Sequence, residues 1–391
     1  MPHKLIPGFQ PYAWGDTSYL QQLCSLTDLL GKPLAEMWMG AHPQSPSLLI
    51  TDKREISLNE FIASASDSLL GKAYSLNGGQ LPYLLKILAV KQALSIQIHP
   101  DKATAERGYA TENARGIALD SPYRTFKDAN HKPELLCALT EFTMMCGFKP
   151  YGDIVRCFNV YGVEQLWKGF AVFSDKQSPQ TLKQLFREIL GSSQEVLQCF
   201  VQQLQSTNFN LETKDLPIFQ LCQVLIEQYA LDAGIVAPML LNVLTLQPTQ
   251  AIFLPAGIMH AYVKGVGIEL MANSDNVIRG GLTSKNIDHA QLFGLADFGE
   301  FVPDLTPATS VDAMHQVYHS KAAEFELHVL NLMDTYKLVT NARPQIILCL
   351  EGAFTCNEVL SIVKGEAVFV GANETETLLS GQASLVVATV P

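Results

Sequence analysis

The stretch LPYLLKILAVKQALSIQIHP, residues 81–100, contains two apolar runs separated by polar residues. This pattern predicts two β-strands joined by a turn. Because side chains alternate along a strand, Gln97 and His99 leave one face of the second run, while Ile96 and Ile98 leave the other. The first face can therefore offer two groups to a metal ion, although a polar strand face that binds nothing has the same spacing.

Two further segments carry groups of the same chemistry. In LPAGIMHAY, residues 254–262, a Pro-x-Gly turn delivers His260 from the following strand, with a spacing found in one half of cupin metal sites. In DANHKPELL, residues 128–136, Glu134 stands before an apolar run that enters the core, where a carboxylate is costly to bury unless it is paired. A core histidine and a surface glutamate are the alternatives at these two positions.

Together these segments supply two nitrogen and two oxygen ligands, from Gln97, His99, Glu134 and His260. This set suits one zinc ion with a position open for water or substrate. A set without thiolates leaves manganese and iron(II) as alternatives. Four cations accompany the set: Lys86, Lys132, Arg279 and Lys285. In an acidic protein such a cluster indicates an anionic substrate, most simply a phosphate, although a solvated loop also accounts for Lys285.

Beyond residue 150 the apolar spacing becomes helical. One face of a predicted helix carries Leu182, Leu185, Phe186, Ile189 and Leu190. Its ends are marked by Ser178 as the cap, Pro179 in the first turn and Gly191 as a left-handed exit. The segments EVLQCFVQQL and PIFQLCQVLIEQY continue the helical pattern, so residues 151–247 are predicted to be a helical insertion.

Strand patterns resume from the segment LLNVLTLQPTQAIFLPAGIMHAYV, residues 240–263, onward, and residues 311–391 alternate short strands with turn signals. We therefore predict a mainly β protein with an α insertion. Residues 1–150 and 248–310 are predicted to be rich in strands, and the helical segment at 151–247 interrupts them. Residues 311–391 are predicted to form a C-terminal β-sandwich of the jelly-roll kind.

Composition narrows the class of protein. The 391 residues carry a net charge of −11 with no long basic run, which argues against nucleic acid or an anionic membrane as partner. No signal peptide or membrane-spanning stretch is apparent. The eight cysteines form no Cys-x-x-Cys pair, which favours buried thiols over disulfides. We expect a monomer in the cytoplasm.

Six segments resemble the type I mannose-6-phosphate isomerase (phosphomannose isomerase) family and occur in family order. They are QPYAWG (10–15), AEMWMGAHPQSPS (35–47), LLKILAVKQALSIQIHPDK (84–102), FKDANHKPELLCALTEF (126–142), LPAGIMHAYVKG (254–265) and IELMANSDNVIRGGLTSKNID (268–288). The resemblance implies a cupin-like, jelly-roll catalytic domain split between residues 1–150 and 248–310, a helical domain at 151–247 inserted into it, and a C-terminal β domain at 311–391. It also implies one zinc on Gln97, His99, Glu134 and His260.

The chain departs from the family pattern at two places. The family commonly has a polar or acidic residue followed by a small residue before the metal histidine, whereas Ile258 and Met259 stand here. Any role of that acidic position cannot be carried over to this chain. The C-terminal block has no histidine after His328, so we expect no second metal there.

The implied reaction interconverts mannose 6-phosphate and fructose 6-phosphate through an enediol, and needs no redox cofactor. His131, Glu269 and Asp275 are the candidate bases near the metal. We assign transfer between the carbons to His131, ring opening to Lys132 and Asp275, and charge stabilisation to Arg279. Substrate contacts are expected from Lys86, Lys285 and Trp14.

Two other functions stay open. A cupin-type iron(II) oxygenase would use two histidines and one carboxylate, and the additional Gln97 and the cation cluster disfavour it. A metal-containing sugar-binding protein without turnover would show the same ligands. A rate measurement separates that protein from an enzyme.

Overall fold

The structure is a computed structural model that describes residues 1–51, 54–206 and 216–391. The strands are β1 His3–Ile6, β2 Gly8–Gln10, β3 Glu36–Gly40, β4 Leu48–Ile50, β5 Glu55–Ser57, β6 Tyr83–Val90, β7 Ile96–Ile98, β8 Glu134–Ala138, β9 Phe142–Phe148, β10 Leu241–Leu246, β11 Ala251–Leu254, β12 His260–Ala272, β13 Ile278–Gly281, β14 Leu305–Thr306, β15 Ala308–Ser310, β16 His315–Tyr318, β17 Glu326–Leu332, β18 Thr335–Val339, β19 Gln345–Cys356, β20 Leu360–Val363, β21 Ala367–Val370 and β22 Glu376–Thr389. The α-helices are α1 Tyr19–Leu23, α2 Leu58–Ser64, α3 Ser66–Leu70, α4 Lys102–Ala114, α5 Tyr151–Val160, α6 Lys168–Asp175, α7 Pro179–Leu190, α8 Gln194–Ser206, α9 Leu216–Tyr229, α10 Ala237–Leu240 and α11 His289–Leu295. Three 3₁₀ turns occupy Thr27–Leu29, Gly71–Leu76 and Ala233–Val236.

The long strand β12 organises the first antiparallel sheet. Its first residues pair with β7 and β9, and its later residues pair with β6 and β8. Strands β3 and β2 extend this sheet on one side, and β11 and β14 extend it on the other. The two strands predicted within residues 81–100 are confirmed as β6 and β7, because each finds a partner in or beside β12.

Strand β6 is buried along its whole length, which explains its continuous apolar run. On one face it packs into a large apolar cluster that includes Leu85, Ile87 and Ala89. On the other face the sheet lines a cleft. Lys86 belongs to this second face and is itself buried, so its charge needs partners within the protein.

Helices α5 to α10 fill the sequence between β9 and β10, as the helical periodicity predicts. In α7, Ser178 and Thr181 form a capping box and Pro179 occupies the first turn. The left-handed exit predicted at Gly191 is wrong, because its φ is −90°. Its N–H bonds the carbonyl of Arg187, so the chain leaves the helix without a positive φ. The predicted insertion includes residues 207–215, which lie outside the described residues.

The C-terminal strands form the second sheet, and two of them, β19 with 12 residues and β22 with 14, are longer than the short strands predicted there. The order of this sheet is β15-β16-β17-β22-β19-β21-β1-β4-β5, with β18 and β20 pairing alongside. The mainly β class with a helical insertion is confirmed. The sheets cross the proposed domain boundaries, since β1, β4 and β5 come from the first 60 residues yet pair within the C-terminal sheet. Within the described residues, no helix combines the length and apolar character needed to cross a bilayer.

Candidate functional site

Three buried side chains converge where β7, β8 and β12 approach one another. The Nε2 atom of His99 lies 3.3 Å from Oε1 of Glu134, and Nε2 of His260 lies 3.3 Å from Oε2 of the same carboxylate. One ligand atom from each residue fits within a span of 4.8 Å. The turn before β12 places His260 beside His99. In this turn Gly257 adopts a φ of +79°, and its N–H donates a hydrogen bond to the carbonyl of His99.

The hydrogen bonds made by Nδ1 determine the tautomers of both His99 and His260. Nδ1 of His99 lies 2.7 Å from the carbonyl of Asn276, and Nδ1 of His260 lies 2.9 Å from the carbonyl of Ile258. A carbonyl only accepts, so each Nδ1 carries the proton and each Nε2 presents a lone pair to Glu134. Burial lowers the pKa of His99 to about 4, which keeps this ring neutral. Ile258 thus contributes through its backbone, although its side chain departs from the family pattern.

The donor set fits a metal ion. Nε2 of His99 is buried and has no hydrogen-bond partner within the described residues, which is costly unless a cation lies beside it, and the buried Oε1 of Glu134 contacts the Lys132 ammonium at 2.9 Å. Burial alone would raise the pKa of Glu134, but the Lys132 ammonium holds this pKa well below its usual range. The amide of Gln97 lies 3.4 Å from Nε2 of His260, so its oxygen faces the centre after a half-turn of the amide.

A cleft of about 380 Å³ adjoins this centre. Eight of the residues proposed from the sequence line it: Trp14, Lys86, Gln97, Lys132, Glu269, Asp275, Arg279 and Lys285. They come from distant parts of the chain, and pairing between strands brings them together. Gln97, for example, lies opposite His260 on β12 and opposite Arg279 on β13.

Lys86 is neutralised by two carboxylates. It lies directly opposite Trp38 on β3 and opposite Glu269 on β12. Its Nζ is 3.4 Å from Glu36, 3.3 Å from Glu269 and 4.7 Å from the centre of the Trp38 ring. Burial alone would lower the pKa of Lys86, but the two carboxylates outweigh burial and raise it. Burial and the charge of Glu134 raise the pKa of Glu269.

Arg279 and Lys285 have no such neutralisation. Among the residues that the structure describes, no carboxylate lies within ion-pair distance of either side chain. Burial lowers the pKa of Arg279, and the charge of Arg279, followed by burial, lowers the pKa of Lys285. Two cations that repel each other across a cleft make a site for an anion.

His131 is not among the cleft-lining residues. Its Nε2 lies 2.6 Å from Oε1 of Glu324, in the loop before β17. The structure thus brings Lys132 and Glu134 of the same segment to the site, while the side chain of His131 contacts the C-terminal part of the molecule.

Sequence reasoning missed several residues that line the cleft: Tyr12, Glu36, Trp38, His42, Gln44 and Tyr262. Four of them lie in the segment AEMWMGAHPQSPS, whose polar residues between apolar ones were the available signal. Tyr262 follows His260 by two positions, so strand alternation places both on one face. Its hydroxyl lies 3.5 Å from Glu134.

Comparison with known proteins identifies close relatives. A family profile described as phosphomannose isomerase type I, catalytic domain, matches residues 3–151. The chain is 37% identical to the mannose-6-phosphate isomerase of Salmonella typhimurium and 35% identical to that of Escherichia coli, and each alignment covers 98% of both chains. A zinc-bound crystal structure of a mannose 6-phosphate isomerase superposes with a TM-score of 0.91 at 34% identity, covering 100% of this chain and 99% of the other.

Proposed function

Because this chain belongs to the type I phosphomannose isomerase family, we propose a specific division of labour among its cleft residues for the reaction of that family. The chain is an aldose–ketose isomerase that interconverts mannose 6-phosphate and fructose 6-phosphate. The observation that carries the proposal is the buried triad of His99, Glu134 and His260 beside a cleft lined by two cations that no carboxylate of the described residues neutralises.

The cofactor is one zinc ion. We propose that Gln97, His99, Glu134 and His260 hold it, the first through its amide oxygen. When bound, zinc supplies a Lewis acid that polarises the oxygens on the first two carbons of the sugar. The protein residues prepare the site by keeping both histidines in the tautomer with a free Nε2 and by supplying a carboxylate that is ionised throughout the neutral range.

We propose that Asp275 and Lys132 open the sugar ring. Asp275 accepts the proton of the anomeric hydroxyl as the carbonyl forms at C1 and the bond between C1 and the ring oxygen breaks. Lys132 donates a proton to the departing ring oxygen. Both groups line the same cleft, and the hydrogen bond and charge of His42 lower the pKa of Asp275 despite burial, so this carboxylate is ionised as its role requires.

For transfer between the carbons, the structure supports Glu269 over His131, the residue assigned from the sequence. Glu269 lines the cleft, is buried, and has Lys86 at 3.3 Å as a fixed counter-charge. In the proposed step its carboxylate takes the proton from C2, which gives an enediolate with the negative charge on O1. The hydroxyl proton then passes from O2 to O1, and Glu269 returns its own proton to C1 as the carbonyl forms at C2, giving the ketose. The Nε2 of His131 is occupied by Glu324 and the side chain lies outside the cleft lining.

Arg279 and Lys285 are proposed to bind the phosphate. Their charges are not satisfied by the described part of the protein, whereas Lys86 has two carboxylates and is better placed to orient Glu269. A sugar phosphate therefore enters with its anionic end toward Arg279 and Lys285. Trp14 supplies an aromatic wall of the same cleft.

The reaction is tested by measuring fructose 6-phosphate formation from mannose 6-phosphate before chelation, after chelation and after zinc is restored. We expect turnover to disappear with the metal and to return with zinc. Turnover that persists in fully demetallated protein would contradict the proposed mechanism. Oxygen consumption after iron loading tests the oxygenase alternative, and we expect none.

Two predictions from the sequence concern the protein in the cell. A cytoplasmic location and a monomeric state stay predictions. Sedimentation equilibrium of the zinc-loaded enzyme tests the second, with a mass close to the 43.0 kDa of one chain expected.

A further inference from the structure

We propose that His42 is a positioning residue that orients Asp275 for ring opening. Both oxygens of the Asp275 carboxylate are engaged from one loop, between β3 and β4. Nε2 of His42 lies 3.2 Å from Oδ1, and the amide of Gln44 donates to Oδ2 at 2.8 Å. The inference rests on the proposed role of Asp275 in the mechanism.

The tautomer of His42 follows from its other ring nitrogen. The backbone N–H of Gln44 points at Nδ1 of His42 across 3.3 Å, and a backbone N–H can only donate. Nδ1 is therefore the acceptor, so the proton of the neutral ring is on Nε2 and faces Asp275. His42 thus supplies a directed hydrogen bond to the carboxylate.

The His42 ring is held in this orientation by its surroundings. Its side chain is 3% exposed, and its ring meets the Trp38 ring edge-on with centroids 4.9 Å apart. Trp38 is in turn fixed by a 2.5 Å hydrogen bond from its indole nitrogen to Glu36. A buried aromatic contact and a backbone hydrogen bond leave the ring little freedom, which is what a positioning group requires.

Asp275 itself is anchored but not enclosed. Its backbone N–H donates to Oδ2 of Asp128 at 2.7 Å, while its side chain remains 30% exposed toward the cleft. Each carboxylate oxygen has two lone-pair sites, so one contact to His42 and one to Gln44 leave acceptor positions for a sugar hydroxyl. The contacts with His42 and Gln44 thus restrict rotation of the Asp275 carboxylate without removing its capacity as a base.

The charged and titratable groups that act on Asp275 include both signs. They are His42, Lys132, Lys86, Asp128 and Tyr12. Without the hydrogen bond from His42, burial and Asp128 favour the protonated form of Asp275 more strongly. The acidic limb of the rate profile should then move to higher pH, because more of the base is protonated at a given pH.

The test compares His42→Leu, which removes the donor, with His42→Gln, whose amide nitrogen is the same number of bonds from the backbone as Nε2. For His42→Leu we expect kcat to fall about 10- to 100-fold with KM changed less than about threefold, together with the shift of the acidic limb. His42→Gln should recover a large part of both. Anomerisation of mannose 6-phosphate, measured by exchange NMR, should fall in parallel with kcat.

A matched control is His315→Leu, which removes another buried, hydrogen-bonded histidine far along the chain. The zinc content of every variant is measured. If His42→Leu retains normal kcat and its normal pH limb, or if His42→Gln is no better than His42→Leu, the positioning role is wrong. Gln44→Leu removes the other hydrogen bond to Asp275, at a less buried position, and is expected to lower kcat. This variant keeps the test decisive if His42→Leu does not fold.

Asp275→Asn separates this inference from the proposed mechanism. If Asp275→Asn still anomerises the substrate at the normal rate, the ring-opening role of Asp275 is wrong, and the contacts of His42 and Gln44 with Asp275 have no catalytic role. If Asp275→Asn loses anomerisation while His42→Leu and Gln44→Leu keep it, only the positioning inference fails.

Discussion

Nε2 of His131 lies 2.6 Å from Oε1 of Glu324, a residue 193 positions further along the chain. Both side chains are mostly buried, so the contact is sheltered from solvent. Glu324 precedes β17 of the second sheet, whereas His131 precedes β8 of the first. The pair therefore ties the segment that carries Lys132 and Glu134 to the C-terminal part of the molecule.

This contact predicts that His131 is not the general base. We expect His131→Ala to retain kcat within about tenfold, because the side chain lies outside the cleft lining. Glu269→Gln should lose about a thousandfold, within the usual range for removing a general base. Both are measured by steady-state kinetics at saturating mannose 6-phosphate. If the two losses were reversed, His131 would be the base as the sequence suggests.

A companion prediction concerns Glu324. Replacing it with Gln keeps the shape but removes the charge, and should lower the free energy of unfolding by about 1 kcal/mol. Chemical denaturation of the zinc-loaded protein gives this value. The kcat should stay within about threefold of the parent. A large loss of kcat with no loss of stability would contradict a purely structural contact.

The phosphate assignment predicts a defect in binding. Arg279→Met and Lys285→Met each remove a charge that no carboxylate in the described residues neutralises. We expect KM for mannose 6-phosphate to rise about tenfold or more for either variant, with weaker inhibition by inorganic phosphate. Lys364→Met, at an exposed ion pair with Glu351, is the matched control and should leave both constants unchanged. An unchanged KM in both cleft variants would exclude the phosphate role.

The metal centre predicts which substitutions release zinc. His99→Ala and Glu134→Gln should each lower the zinc content of purified protein after dialysis, because each removes a ligand or its charge. Ile258→Val should retain zinc, since that residue acts through its carbonyl on Nδ1 of His260. Metal analysis by mass spectrometry distinguishes the outcomes. Full zinc retention in Glu134→Gln would contradict the proposed ligand set.

A histidine in the C-terminal sheet predicts acid sensitivity. Burial, and then the charge of His328, lower the pKa of His315 from 6.5 to about 4. Between these values the unfolded chain binds a proton that the folded chain does not, so stability falls as pH drops from 6.5 toward 4. The loss should reach roughly 3 kcal/mol. His315→Leu should flatten this part of the stability profile, and an unchanged slope would show that other groups cause it.

The sequence could predict the strand faces of candidate site residues where alternation within one segment is enough. Gln97 and His99 are two positions apart, and a Pro-x-Gly turn precedes His260, so their strand faces could be predicted without knowing the partner strands. The buried Lys86 was also informative, because a cation within an apolar run requires counter-charges. Glu36 and Glu269 provide them, but the pairing of β3, β6 and β12 had to be known before either could be named.

Other features depend on contacts between distant residues. The sequence alone determined the mainly β class, the helical insertion and the family, because these follow from periodicity and from short motifs. Only the tertiary structure decided that His131 contacts Glu324, that His42 and Gln44 hold Asp275, and that the N-terminal strands join the C-terminal sheet. The physical reason is that periodicity specifies which face a side chain occupies, whereas its partners depend on which strands and loops pack against that face.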